Sequence, residues 1–316
     1  MAAAIEEQGR GGPARPARNR LGLAGRERIL AYGLLLPAAS VILLLILYPL
    51  LRVFELSLRE GKSMNLAQLS DLPLGLANYE RVLGDPAFWH SVSISALYVG
   101  GSVIVAFGIG LVTALCLNNE LPFRRALRTL ILLPWAVPGV IVSIVFLWIL
   151  DGSFGVFNAM LRDLGLLDGD QAWFIDQRTA LLAVMAPTIW KAYPLITLTV
   201  LAALQSIPNE LYEAAEIDGA SATQRFVNIT WPGIKAAAVL ATMISALWIF
   251  RDIDIIFAST RGGPARATET LAIYVYNEAF QFFRMGTASA VGTMMVGMAF
   301  GGVLLAIGLT RRDRFA

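Results

Sequence analysis

Residues capable of nucleophilic, acid–base or metal chemistry are scarce in this chain. Its 316 residues include one cysteine, Cys116, and one histidine, His90. A disulfide within the chain is impossible, and a zinc site built from cysteine and histidine has too few ligands. A Ser-His-Asp arrangement would depend on His90, which stands at the start of an apolar block and which we interpret as an interfacial histidine. The sequence therefore predicts no catalytic residue and no metal site.

An ionisable side chain inside an apolar block is the first functional candidate. Lys191 lies in the middle of such a block, in the stretch PTIWKAYP. A charge at the bilayer centre costs roughly 2.5–3.5 kcal/mol on insertion scales, so it marks a solute path by default. Pro187 and Pro194 flank it and free backbone carbonyls, and transporters place substrates at such broken helices. The alternatives are that Lys191 snorkels or pairs with an acid of a neighbouring span.

Aromatic and polar side chains accompany Lys191 in the same blocks. Sugars bind to aromatic faces and to hydrogen-bonding side chains, although core packing explains any single aromatic residue equally well. The aromatic candidates are Trp135, Trp190, Tyr193 and Trp248, and the polar candidates are Thr188, Lys191, Ser245 and Asp252.

The elements that carry these residues are long apolar blocks. The chain is 57% hydrophobic and 15% charged, with a mean hydropathy of +0.64, whereas soluble domains carry about 25% charged residues. The blocks reach the roughly 20 residues that cross a bilayer. The predicted fold class is therefore an all-α polytopic membrane protein. Six transmembrane helices are expected near 30–51, 91–117, 127–150, 180–204, 236–257 and 287–310.

Loop charges predict an orientation with both termini in the cytoplasm. The tail 1–28 is rich in Gly, Pro and Arg, which predicts disorder and, by the positive-inside rule, a cytoplasmic N-terminus. Three arginines at 124–128 place the short loop between spans two and three on the cytoplasmic side. The basic tail 311–316 is predicted to be cytoplasmic as well. The transmembrane domain would span 29–310. Its first block is longer than the apolar core of a secretory signal, so we expect it to be retained.

The most polar long stretch, ELYEAAEIDGASATQRFVNITWPG at 210–233, lies between spans four and five. It predicts a helix capped by Asn209 and closed by a left-handed Gly219. A second helix would begin with a capping box at Ser221–Gln224 and end at Pro232. Four acidic residues are unusual for a loop resting on headgroups, which would favour Lys and Arg. They favour a docking surface for a protein with basic residues.

This stretch resembles the EAA loop of binding-protein-dependent ABC importer permeases. That loop reads Glu-Ala-Ala, a Gly six residues after the Glu, and then Ile-x-x-Pro. Trp231 departs from it, since Leu is usual there. LLPWAVPGVIVSIVF (132–146) and ASTRGGPARATETLAIYVYNEAF (258–280) are similar to segments of the carbohydrate branch. Over most of its length the chain thus resembles the MalF-like permease subunit of carbohydrate ABC importers. The matching loop residues are Glu213, Ala214, Ala215, Gly219, Ile229 and Pro232.

The resemblance implies the type I ABC importer permease fold, in a bacterial or archaeal cytoplasmic membrane. It implies four kinds of partner: a second homologous permease, two ABC ATPase subunits, an extracytoplasmic solute-binding protein and membrane lipid. The sequence has no nucleotide-binding loop, so ATP and Mg would be used by the partners and no cofactor is expected on this chain. A net charge of +2 gives no reason to expect nucleic acid.

The resemblance also assigns roles to residues. The loop would insert into a cleft of the ATPase, where Glu213 meets a basic residue. The coupling residues are Glu213, Ala214, Ala215, Asp218 and Gly219. The family's sugar-contacting positions fall on Trp135, Gly139, Thr188, Lys191, Ala192, Ser245 and Ile249, with Lys191 replacing an apolar residue. The predicted solute path combines both sets of candidates as Trp135, Gly139, Thr188, Lys191, Tyr193, Ser245, Trp248 and Asp252.

Two other classes of function compete with an ATP-driven importer of a sugar or related solute. A self-sufficient secondary transporter of a small polar solute would need an ionisable relay in the membrane. Its candidates are confined to Asp252 and Asp254, and this class gives no reason for the EAA pattern. An intramembrane enzyme would need a nucleophile or a metal pair, which one Cys and one His do not provide. The sequence leaves the identity of the solute open.

Overall fold

The computed structural model describes residues 20–60, 72–119 and 122–312. Within these ranges the secondary structure is helical, and the strand-like pairing consists of one isolated bridge between Arg59 and Leu74. The predicted all-α class is confirmed. The chain divides into two compact units, residues 1–52 and 53–316.

The first unit contains one long apolar helical stretch. Helix α1 (Arg20–Ile42) continues through a π-helical turn at Leu43–Leu47 into α2 (Tyr48–Ser57), which ends beyond the unit boundary. The stretch Leu30–Ser57 is long and apolar enough to cross a membrane, and its most apolar part has no buried residue. The predicted disorder of the tail is wrong for residues 20–28, because strong helix formers such as Leu, Arg and Glu extend α1 over them. Residues 1–19 lie outside the described residues.

The second unit is a bundle of long helices joined by short helices and loops. Two further π-helical turns lie at Phe226–Thr230 and Asn277–Gln281. Its helices are α3 (Ala77–Gly84), α4 (Pro86–Asn118), α5 (Arg124–Ala136), α6 (Gly139–Ile149), α7 (Val156–Asp163), α8 (Ala180–Leu204), α9 (Asn209–Ile217), α10 (Ala222–Arg225), α11 (Trp231–Arg251), α12 (Asp254–Ser259), α13 (Leu271–Tyr276) and α14 (Met285–Arg312).

The membrane-spanning stretches agree in number with the sequence, but two of them have breaks. Among the described residues, five helical stretches qualify by length and hydropathy, and the pair α5–α6 makes a sixth if it counts as one span. That pair bends by 96°, because Pro138 lacks an amide N–H and forces Val137 out of the helical region. Span five, expected to reach residue 257, ends at Arg251, since Asp252 is extended with ψ 125°.

The core that fixes the inner spans lies between α4, α8 and α11. Small residues on α4 and α11, such as Ala106 and Ala238, are buried against Ile196 of α8. Gly110 makes this approach possible, because a β-carbon at that position would come within 2.8 Å of the Ile196 side chain. Small residues at such crossings bring transmembrane helices close together. The packing holds α8 and α11, which carry Lys191 and Ser245, side by side.

The loop between α12 and α13 is fixed by polar contacts. The Tyr274 hydroxyl donates to Asp85 at 2.8 Å, and the His90 ring nitrogen Nε2 lies 3.1 Å from the Arg266 carbonyl. Nearby, Glu278 is 4% exposed, and one of its oxygens lies 3.5 Å from Arg284. Burial raises the pKa of the Glu278 carboxyl above its ordinary value. This polar network anchors the loop onto the N-terminal part of α4.

Candidate functional site

The segment 209–233 folds as a helix, a glycine turn and a second helix. Gly219 has φ +73°, and its amide donates to Glu216 while the Ala220 amide donates to Ala215 at 2.8 Å. These are the bonds of a left-handed C-cap, as predicted. The start of α9 differs by one residue. The capping residue is Pro208, and Asn209 is the first helical residue, with no side-chain cap.

The second helix of this segment is continuous with span five. The predicted capping box is present, since the Ser221 hydroxyl accepts from the Gln224 amide and the Gln224 side chain accepts from the Ser221 amide. The predicted end at Pro232 is wrong. A helical stretch runs from Ala222 to Arg251, and the π-helical turn Phe226–Thr230 makes room for Pro232, which has no N–H to donate.

The outer face of α9 presents acidic and small residues. Glu213, Ala214, Asp218 and Gly219 are exposed, and Ala215 is half-buried. Ile217 is 88% exposed beside them. Sequence reasoning missed Ile217, although an apolar residue at the end of a polar helix was a signal for it. The face therefore offers an apolar tip surrounded by acids.

A hydrogen bond ties α9 to the base of span five. The Tyr212 hydroxyl lies 3.0 Å from the Thr230 hydroxyl, at the end of the π-helical turn. A second link is looser, with an Arg225 nitrogen 3.8 Å from a Glu216 oxygen. These two contacts hold α9 against the base of span five.

Seven of the eight predicted solute-path residues line one cavity of about 370 Å³ between α5, α6, α8, α11 and α12. Tyr193 does not, and lines a separate recess with Phe146 and Trp190. Tyr193 follows Lys191 by two positions, about 200° around the helix, so it points to the other side of α8. The cavity is lined by Trp135, Gly139, Thr188, Lys191, Ala192, Leu195, Ser245, Trp248, Ile249, Arg251, Asp252, Ile253, Asp254 and Ile255.

Aromatic and hydroxyl groups give the cavity two surfaces for a polyhydroxylated solute. The Trp135 and Trp248 rings stack with centroids 6.3 Å apart and planes 22° apart. Ser245 is 2% exposed, and its hydroxyl has no hydrogen-bond partner among the described residues. Thr188 is less available, because its hydroxyl bonds to Tyr98 at 2.5 Å and donates to the Val184 carbonyl at 3.1 Å. Of these two cavity residues, Ser245 is therefore the one whose hydroxyl has no hydrogen-bond partner among the described residues.

Two charged side chains of the cavity, Lys191 and Asp252, form hydrogen bonds with the backbone. Lys191 Nζ donates to the Val137 carbonyl at 2.8 Å, at the break between α5 and α6. Asp252 accepts from the Asp254 amide at 3.0 Å, just before α12. The expected span 236–257 would include Asp252, whereas Asp252 lies past the end of α11. Sequence reasoning did not place Arg251 or Asp254 in the cavity, although the run RDID was the signal.

The described residues hold no group of three or more His, Cys, Asp or Glu side chains placed to bind a metal ion. Cys116 is exposed and forms no disulfide. The polar groups of the cavity can therefore orient and hydrogen-bond a solute, and the described chain offers no built metal centre.

Comparison with known proteins shows which family and which solved structures the chain resembles. The family described as "Binding-protein-dependent transport system inner membrane component" matches residues 106–312. The chain is 35% identical to the trehalose/maltose transport system permease protein MalF of Thermococcus litoralis, over 91% of this chain and 96% of that one. It is 34% identical to the sulfoquinovosyl glycerol transport system permease protein SmoG of Agrobacterium fabrum, over 86% and 87%. A bacterial alginate ABC transporter in complex with an alginate pentasaccharide-bound periplasmic protein shares the fold, with a TM-score of 0.78, 24% identity and coverage of 93% and 98%.

Proposed function

Because the chain belongs to the family of inner membrane components of binding-protein-dependent transport systems, we propose that it forms the path by which a sugar or related solute crosses the membrane. It is the permease subunit of an ABC importer. The cavity described above carries the proposal, since it brings stacked tryptophans and a free hydroxyl together at a break in a membrane span. Such breaks are where transporters hold their solutes.

The solute class that we propose is a glycoside. Relatives that match most of the chain are named for trehalose and maltose and for sulfoquinovosyl glycerol. Aromatic faces suit the C–H surface of a sugar ring, and Ser245 and Lys191 suit its hydroxyls. The solute would contact Trp135, Gly139, Thr188, Lys191, Ser245, Trp248 and Asp252.

The energy for transport comes from partner subunits in this proposal. The sequence has no nucleotide-binding loop, so ATP and Mg are assigned to two ATPase subunits, and the chain itself is not an enzyme. The exposed face of α9 is the proposed contact, with Glu213, Ala214, Ala215, Asp218 and Gly219 facing the ATPase. Both chain termini and this face then lie on the cytoplasmic side. A second permease subunit and an extracytoplasmic binding protein complete the importer.

Uptake into proteoliposomes tests this function. The chain is reconstituted with its second permease, the ATPases and the binding protein encoded with it, and radiolabelled trehalose and maltose serve as probes. We expect uptake that requires both enclosed ATP and the binding protein and that survives a protonophore. Glu213→Lys should abolish solute-stimulated ATP hydrolysis while the subunit still inserts.

The competing secondary transporter gives the opposite pattern. It would act without the ATPases, and its uptake would persist without ATP and collapse with the proton gradient. Such uptake by the chain alone would overturn the importer function.

A further inference from the structure

The break in span three brings two helix ends into the wall of the cavity. Helix α5 ends at Ala136, and its C-cap Val137 is extended with ψ 133°, while α6 begins at Gly139. The last carbonyls of a helix lack intrahelical donors and carry negative charge, and the first amides of the next lack acceptors and carry positive charge. Inside a membrane such groups are costly unless a partner satisfies them.

Lys191 supplies a cation at the negative end. In an unbroken helix the Val137 carbonyl would accept from the amide four residues on, and the break removes that donor. The Lys191 ammonium replaces it at 2.8 Å, reaching across from the middle of α8. A charged donor forms a stronger bond than a neutral amide. The positive charge of Lys191 is favourable at this position, because a helix C-terminus carries partial negative charge.

Asp254 supplies an anion at the positive end. A β-carbon on Gly139, the first residue of α6, would lie 3.2 Å from the Asp254 β-carbon and 3.6 Å from its carboxylate oxygen Oδ2. The acid therefore stands beside the N-terminus of an eleven-residue helix. The Ser143 hydroxyl donates to the Ile255 carbonyl at 3.2 Å and holds α12 against α6. The negative charge of Asp254 is favourable beside the N-terminus of α6, which carries partial positive charge.

We propose that Lys191 and Asp254 are positioning residues that hold the break in span three by neutralising the two helix ends that meet there. Lys191 comes from span four and Asp254 from α12, the short helix that follows span five, so they tie both elements to span three around the cavity. They thereby fix the positions of Trp135 and Gly139, which lie on either side of the break. This role rests on the solute path proposed above for its use in transport, but the geometry of the break can be measured without any solute.

A simple ion pair is the main competing role for the two charges. If Lys191 and Asp254 served only each other, exchanging them would preserve the interaction. If each serves a helix end, the exchange places a like charge at both ends and restores nothing. The charge-exchanged variant therefore separates the two roles.

Pulsed electron paramagnetic resonance on the whole importer measures the break. Nitroxides are attached at Leu130→Cys on α5 and Val145→Cys on α6, two exposed positions, in a Cys116→Ser background. Without solute, we expect a narrow main distance peak from the bent form and a minor component from the straightened form. Lys191→Met or Asp254→Asn should lower the ratio of the bent to the straightened form by about two- to five-fold, the usual worth of one charge at a helix end. Lys191→Arg should keep the original distribution.

The charge-exchanged variant, Lys191→Asp with Asp254→Lys, should remain as broad as the single variants. Return of the narrow distribution in it would overturn the proposal, and so would an unchanged distribution in Lys191→Met. Arg162→Met, which removes a cation on α7 outside the cavity, is the matched control and should change nothing. If Lys191→Met does not assemble, Asp254→Asn alone decides. Normal uptake in variants whose break has straightened would count against the solute path instead, because the cavity wall would then change without affecting transport.

Discussion

At the scale of single residues, the unpartnered Ser245 hydroxyl is the most specific feature of the cavity. A buried hydroxyl without a partner is costly to the chain alone, and a solute hydroxyl would satisfy it. Ser245→Ala should therefore raise the KM for uptake by about five-fold, the equivalent of one net hydrogen bond. The thermal midpoint should hold or rise, since the variant also removes an unsatisfied group.

Ser102→Ala is the matched control for that change. Ser102 is equally buried and its hydroxyl also has no partner among the described residues, but it does not line the cavity. Its KM should equal that of the unmodified protein. An equal KM in both variants would remove Ser245 from the solute path.

The left-handed backbone of Gly219 is a second single-residue feature. A β-carbon there would meet nothing within 4 Å, so the cost of a side chain is conformational only. Gly219→Ala should cost about 1 kcal/mol in the turn, roughly five-fold in its population, and lower solute-stimulated ATP hydrolysis accordingly. Gly219→Asn should retain more activity, because Asn tolerates this conformation. Equal activities in the two variants would contradict a role for the turn geometry.

Glu278 gives the chain a pH-dependent component of stability. Burial raises its pKa in the folded state above the ordinary 4.5, so the folded state binds the proton more tightly than the unfolded state. The resulting stabilisation is present below pH 4.5 and is lost as the pH rises through the folded-state pKa. In the unmodified protein the thermal midpoint should therefore fall as the pH rises through the folded-state pKa of Glu278. Glu278→Gln should remove this fall. The exposed Glu80→Gln should keep it, and equal slopes in all three proteins would contradict the assignment.

At the scale of elements, the Tyr212–Thr230 hydrogen bond is the shorter of two side-chain links described between α9 and span five, the other being the Glu216–Arg225 ion pair. Tyr212→Phe removes its hydroxyl while leaving the ring in place. ATP hydrolysis should continue, but the amount of solute imported per ATP should fall, because α9 no longer holds the base of α11. Thr230→Ser keeps the hydroxyl and is the control. A normal ratio in Tyr212→Phe would show that coupling follows another route.

Local rules explain which elements could be predicted from the sequence. The Ser221–Gln224 capping box and the Gly219 turn depend on neighbouring residues only, and both were predictable. Pro232 was misread because its effect depends on the π-helical turn before it, and the sequence pattern does not show such a turn. The break at Val137 was not predicted, although the sequence contains Pro134 and Pro138 on either side of it. Mean hydropathy is averaged over the whole block and therefore does not report a break within it.

At the scale of the whole molecule, the family and the number of spans follow from the sequence, whereas the assembly of the cavity does not. Candidates from spans four and five meet because α4, α8 and α11 pack through small residues, and Lys191 reaches those of span three by its bond to the Val137 carbonyl. Which side of α8 faces the cavity was settled by that packing, and Tyr193 was therefore misplaced. Asp254 entered the cavity because span five ends early, a feature that hydropathy does not report.

The orientation of the chain yields a prediction at this scale. In a Cys116→Ser background, Thr223→Cys should react with a membrane-impermeant maleimide only from the cytoplasmic side, and Phe154→Cys only from the outside. Both positions are exposed. The positive-inside rule is the physical reason. The reverse labelling pattern would invert the topology and exclude the proposed contact between α9 and an ATPase.

The uninterrupted stretch from Ala222 to Arg251 has a mechanical consequence. Thirty residues form a rod of about 45 Å, with the glycine turn at one end and Trp248 near the other. A tilt of only about 10° at the base would displace the far end by roughly 8 Å, a lever arm set by the helical rise. A small tilt beside the glycine turn would therefore shift Trp248, which lines the cavity, by several ångströms.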